Sequence, residues 1–240
     1  MNITYANNEK YKSALDKQQN KYSQKGYQRI LNSLNVFDDL AVDGDKVLDI
    51  GGSELFNNEK SIDFSALFTS VKDIEYNFEN SATCDMRHDK LDYPDNTFDI
   101  VMSHETIEHL WVDVAQSMTR FDGIENFWNE SYRVLKPNGI FIVSTRNRMC
   151  PLAVKQLLDG KQMMISSFDL DVPFHIQELC YSDLQKLANK TNKFVEHECF
   201  SINSTRHKQL DKYREKLQNL LDRELFQYEE HDTIFFISRK

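Results

Sequence analysis

The chain has 240 residues, enough for one α/β domain with a sizeable core, and its 40% hydrophobic and 28% charged content is that of a soluble globular protein. Its formal net charge of −9 argues against nucleic acid as the partner, because a general grip on a phosphate backbone needs clustered Lys and Arg. The four cysteines, Cys84, Cys150, Cys180 and Cys199, have no CxxC spacing, so a zinc site and a disulfide framework are disfavoured and a reducing, cytoplasmic setting is expected.

No apolar run reaches membrane-spanning length, and the polar start Met1-Asn2-Ile3-Thr4 does not read as a secretory signal, so no membrane association is expected. Without repeats or a Gly/Pro/Ser linker, residues 1–240 read as a single domain whose segment 1–43 is helical. Within it, Tyr11, Leu15, Tyr22, Ile30, Leu31 and Leu34 recur at roughly helical spacing over 8–36. Lys46 to Ile50 predicts a first strand, stopped by Gly51-Gly52. A short helix is expected over Ser61–Phe68, a second strand over Val71–Tyr76 and a third over Ala82–Asp85. Pro94-Asp95-Asn96 predicts a turn into a fourth strand, Phe98–Ser103.

A helix over Asp122–Leu135 presents Ile124, Phe127, Trp128, Tyr132 and Leu135 at core-facing intervals and is stopped by Lys136-Pro137-Asn138-Gly139. Ile140–Ser144 predicts a fifth strand buried on both faces. Next come a Ser182-capped helix to Asn189 and closing strands over Val195–Ile202 and Thr233–Ser238. A charged helix inserted over 205–230 carries a Leu/Tyr stripe (Leu210, Tyr213, Leu217) that either packs in its own domain or makes a homodimer contact. Strands alternating with helices predict an α/β, Rossmann-like doubly wound sheet of about seven strands, mostly parallel, with an antiparallel edge.

The strand Val47-Leu48-Asp49-Ile50 feeding Gly51-Gly52-Ser53 is either a plain βα turn or a loop where backbone approaches a ligand closely. It lacks the spacing of the dinucleotide-binding GxGxxG, which favours a nucleoside ligand without pyrophosphate. Asp73 or Glu75, with Glu75 preferred, ends the second strand where an acid can accept ribose hydroxyls. Cys84-Asp85-Met86, the run Leu91-Asp92-Tyr93-Pro94-Asp95-Asn96-Thr97-Phe98-Asp99 and Arg133-Val134-Leu135-Lys136-Pro137-Asn138-Gly139 follow. Together these resemble the class I S-adenosylmethionine-dependent methyltransferases over about residues 44–202. The resemblance implies that Asp49, Gly51, Gly52 and Ser53 line the methionine moiety, Glu75 the ribose, and Asp85 with Met86 the adenine, while Ser103 and His104 complete the cofactor wall. Ser53 stands where that family usually has another glycine, and Glu54 adds negative charge.

Glu105, Glu108 and His109 at i, i+3 and i+4 predict one helical face bearing two carboxylates and an imidazole, a set that can hold Mg²⁺ or Mn²⁺. The pattern is similar to the Glu-x-x-Glu-His site of small-RNA 2′-O-methyltransferases and some ubiquinone-biosynthesis O-methyltransferases, and that likeness implies His175 as a further ligand. Without a metal, His109 or His175 is the candidate general base. Residues 146–175 read as a lid-like insertion, made locally basic by Arg146, Arg148, Lys155 and Lys161. Its layout resembles methyltransferases of bacterial polysaccharide synthesis. The expectation is therefore methyl transfer to a hydroxyl of a small molecule or saccharide by a monomer or homodimer. The alternatives are a catalytically silent binding or scaffold subunit and an RNA 2′-O-methyltransferase.

Overall fold

The computed structural model describes residues 24–51, 77–80, 84–110, 122–160, 179–191, 193–194, 196–202, 215, 219 and 231–240. The elements expected over Ser61–Phe68 and Val71–Tyr76, and the N-terminal segment before Gln24, lie outside these residues. So does the inserted helix over 205–230, apart from Glu215 and Asn219, which are helical and exposed.

Helix α1 (Gln24–Leu40) leads into strand β1 (Lys46–Asp49). Strands β2 (Asn77–Asn80) and β3 (Phe98–His104) follow, then helix α2 (Asp122–Val134) and the long strand β4 (Leu135–Arg146). Helices α3 (Pro151–Leu158) and α4 (Tyr181–Thr191) precede the closing strands β5 (Glu196–Ile202) and β6 (Thr233–Arg239). Among the described residues these make one six-stranded sheet in the order β2-β1-β3-β4-β6-β5. The pairs from β2 to β4 are parallel, and β6 runs antiparallel to both β4 and β5. The reversed strand therefore lies inside the sheet, one place in from the expected edge.

Alternation along the strands divides the core into two layers. On one face, Val47, Ile100, Met102, Ile140, Ile142, Phe235 and Ile237 meet Leu31, Leu34 and Phe37 of α1. On the other, Leu48, Val101, Phe141, Val143, Ile234 and Phe236 meet Ile124, Phe127 and Trp128 of α2 and Leu184 and Leu187 of α4. Helices on both faces make the sheet doubly wound. Trp128 centres the second layer, edge-on to Phe141 at 5.0 Å and to Phe194 at 5.9 Å.

Three local features depart from expectation. Strand β2 falls at Asn77–Asn80, between the two segments read as strands from their apolar runs; Phe78 is its one hydrophobic residue, and pairing with β1 rather than periodicity fixes it. Cys84 and Asp85 are not in a strand. Lys136-Pro137-Asn138-Gly139 does end α2, but it is a bulge within β4: β3 advances from Phe98 to Ile100 while β4 advances from Leu135 to Ile140. Gly139 is required there, since a Cβ would stand 2.7 Å from Leu135 Cδ2 and 2.8 Å from the Lys136 carbonyl oxygen.

The Ser182 cap is also replaced. Helix α4 begins at Tyr181, and the Asp183 carboxylate reaches back to accept the Cys180 backbone N–H at 3.1 Å, one half of a capping box.

Candidate active site

The parallel strands β1, β3 and β4 end together, and their carboxyl ends carry the polar residues singled out from sequence, as expected for a ligand edge in an open α/β sheet. Asp49 is the last residue of β1, 8% exposed, and pairs with Met102 of β3. The chain turns away at Gly51 with φ +83°. A Cβ on Gly51 would sit 2.2 Å from Thr106 Oγ1 and 2.5 Å from Thr106 Cγ2, so the space that glycine leaves is filled by the turn following β3. Thr106 in turn donates its hydroxyl to the His104 carbonyl at 3.1 Å. Two chain crossings at the sheet edge are thereby locked together. Gly52, Ser53, Glu75 and Asp73 lie outside the described residues; Glu79, on β2 beside Leu48, is the acid the described strand carries.

Ser103 and His104 close β3 but point to opposite faces of the sheet. Ser103 follows the alternation of Val101 toward the α2 side; it is fully buried, and its Oγ finds no hydrogen-bond partner among the described residues. His104 lies on the α1 side, its Nδ1 3.0 Å from Ser144 Oγ and its ring edge-on to Phe235. Burial pushes the His104 imidazole down to about 3, so the ring is neutral at physiological pH.

The Asp85–Met86 turn lies on the Ser103 side. Met86 is 4% exposed and belongs to the same core as Leu48, Ile50, Ile107 and Leu110. The turn is held from behind by α2: Asn126 Nδ2 donates to the carbonyls of Met86 at 3.0 Å and Asp89 at 2.9 Å. Further along the same helical face, Glu130 accepts the Leu91 N–H at 2.9 Å. Arg133 donates to the carbonyls of Tyr93 and Leu91 and pairs with Glu130 and Asp95. Arg133 therefore supports the loop over 91–95, while Lys136 of the same run pairs with Asp99.

The acid–histidine set is not assembled as one helical face. Glu105 has φ +51°, a left-handed conformation that ends any helix there, and the next element is a single 3-10 turn, Ile107–His109. Glu108 is fully buried and turned inward, its Oε2 accepting the Thr145 hydroxyl at 2.9 Å. Burial first, and the nearby Glu105 charge second, push the Glu108 carboxyl up to about 8. Glu105 faces Arg146 instead, at 3.7 Å. Among the described residues no group of three or more His, Cys, Asp or Glu side chains is placed to hold a metal ion, so the expected Mg²⁺ or Mn²⁺ set is not formed by Glu105, Glu108 and His109; His175 lies outside the described residues.

Of the lid-like insertion expected over 146–175, residues 146–160 are described, and residues 161–175, with Lys161, lie outside the described residues. Pro151–Leu158 is helical. Arg148 is held by Asp183 at 2.7 Å and Lys155 is paired with Asp159, so these cations are answered by the chain's own acids. Asn147, 1% exposed, pairs with Leu179 and donates its side chain to the His231 carbonyl at 2.8 Å. Residues 147 and 179 are thereby held side by side. Sequence reasoning missed Thr106, Thr145 and Arg87. The first two are found only through the positions they reach across the fold, whereas Arg87 sits two residues after Asp85 at the spacing of a local turn clasp.

Known proteins match this arrangement. Residues 53–143 match the family described as "Methyltransferase domain". A protein of Mycolicibacterium smegmatis described as a probable S-adenosylmethionine-dependent methyltransferase is 34% identical over 115 residues, which are 47% of this chain and 36% of that protein. The match thus spans little more than a third of the relative's length. Among solved structures, a SAM-dependent methyltransferase from Archaeoglobus fulgidus superposes with TM-score 0.52 at 14% identity, covering 95% of this chain and 99% of the other, a likeness of fold.

Proposed function

We propose that this chain, which carries a class I S-adenosylmethionine-dependent methyltransferase domain, transfers a methyl group from that cofactor to a hydroxyl of a small molecule or saccharide. The observation that carries the cofactor half is the buried Ser103 hydroxyl, without a partner among the described residues, at the carboxyl end of β3 and on the side of the Asp85 turn. A buried hydroxyl of that kind has an open hydrogen-bonding position that a bound ligand or an ordered water would fill. The charges also fit. A sulfonium ligand is cationic, and this edge carries the Asp49 carboxylate while His104 stays neutral and Asp85 and Glu105 are paired with Arg87 and Arg146.

Asp49, Gly51 and Ser103 would hold the methionine end, Asp85 and Met86 the nucleobase. When bound, S-adenosylmethionine supplies a methyl group already activated by its sulfonium, so the protein's share of catalysis is chiefly to hold the acceptor in line. Glu105 and Arg146, paired at the ends of β3 and β4, would receive the acceptor hydroxyl, and His109 or His175 would take its proton. The inward-turned Glu108 takes no part as a ligand, and the reading includes no metal.

Titration calorimetry with S-adenosylmethionine tests the cofactor half. Binding in the micromolar range is expected, and no binding at millimolar cofactor would remove it and leave the silent scaffold reading. Incorporation of radiolabelled methyl into a panel of saccharides and small alcohols, with RNA as a parallel arm, tests the acceptor half.

A further inference from the structure

In the turn that follows β2, Asp85 is clasped by its own neighbour. Arg87 Nε donates to Asp85 Oδ1 at 2.9 Å and to Oδ2 at 3.1 Å, Arg87 Nη2 donates to Oδ2 at 2.6 Å, and the Arg87 backbone N–H donates to Oδ1 at 3.0 Å. The fork leaves both side chains about two-fifths open to solvent (42% for Arg87, 41% for Asp85), so the carboxylate is fixed and still accessible. The turn itself is rigid: the Asp85 carbonyl accepts the N–H groups of His88 and Asp89, and the Asp85 N–H donates to Asp89 Oδ2 at 2.9 Å. From behind, Asn126 holds the carbonyls of Met86 and Asp89.

We propose that Arg87 is a positioning residue for nucleobase selection: its two-pronged fork fixes the plane of the Asp85 carboxylate so that a remaining lone pair faces the exocyclic amino group of the cofactor's adenine. The inference rests on the cofactor reading above. A planar guanidinium suits the task, because it constrains both carboxylate oxygens at once, where an ammonium would act as a point charge. The Arg87 Nε–H is shared between the two oxygens, so three N–H groups reach the carboxylate and one of its about four acceptor positions is left for a further donor. The hydrogen bond from Arg87 also holds Asp85 below the usual carboxylate range, so acceptor capacity persists into acid.

The test compares two probes that differ at one group, S-adenosylhomocysteine and its 6-deamino analogue, whose purine carries a hydrogen where adenine carries the amino group. The natural chain should favour the adenine compound by roughly tenfold or more, the discrimination expected of a charge-assisted hydrogen bond. Arg87→Ala should collapse that ratio toward unity, Arg87→Lys should restore it only partly, and Asp85→Asn should abolish it. A merely structural role would weaken both ligands equally. An unchanged ratio in Arg87→Ala, or tighter binding of S-adenosylhomocysteine by that variant, would overturn the proposal, the latter by showing that Arg87 competes for the carboxylate. If the natural chain binds neither compound, it is the cofactor reading that has failed.

Discussion

Two buried groups at the sheet edge set opposing pH responses. Glu108 is raised, so through the window from its ordinary value of 4.5 to about 8 the folded chain holds a proton that the unfolded chain releases; stability falls as pH rises through that window. His104 is lowered from 6.5 to about 3, so the unfolded chain binds the extra proton and stability falls as pH drops through that range. The two cancel between their ordinary values and leave losses on either side. Melting curves of Glu108→Gln, which keeps an acceptor for Thr145, should lose the decline above neutrality and retain the acid limb. A variant with the same alkaline decline would show that another group is responsible.

At Gly51 the constraint is steric. Gly51→Ala combines a positive φ with a Cβ inside the Thr106 side chain, so it should destabilise the fold by about 2–3 kcal/mol. Trimming the neighbour with Thr106→Ala should relieve part of that loss. Chemical denaturation of the two single variants and the double variant measures the coupling; additive losses would mean that the contact does not matter.

Among the elements, α2 has two duties. Its apolar face buries Trp128, and Trp128→Ala should cost about 3–5 kcal/mol by opening a cavity between β4 and α4. Its polar face (Asn126, Glu130, Arg133) supports the loop over 85–95, so Arg133→Ala should weaken S-adenosylmethionine binding more than it lowers the melting temperature, with calorimetry and thermal melts read side by side. Elements of this kind were legible in the sequence because their patterns are local: the α2 periodicity from Ile124 to Tyr132 and the apolar runs at Val47 and Ile140 map onto observed elements to within a residue or a few. Strand β2 was not, since Asn-Phe-Glu-Asn has no strand signal of its own and is fixed by its partner. Residues of the candidate site divide in the same way. Asp49, Gly51 and Ser103 could be read from their place after buried strands, whereas the shared face of Glu105, Glu108 and His109 assumed a helix that the Glu105 backbone does not continue.

For the whole molecule, the sheet joins two different halves. Strands β1 to β4 are parallel and bring their carboxyl ends to one edge, while β6 returns antiparallel and locks β4 from the other side. No helix of the described residues is long and apolar enough to cross a membrane. The methyl transfer proposed above should survive exhaustive treatment with EDTA, because among the described residues no group of three or more His, Cys, Asp or Glu side chains is placed to hold a metal ion. An activity lost on chelation and regained with Mn²⁺ would restore the cation to the scheme.

The pairing of Asn147 with Leu179 holds the two ends of the segment between them side by side. Because closing a loop grows costlier only with the logarithm of its length, the number of residues strung between two such fixed ends can change at little expense to the sheet that holds them.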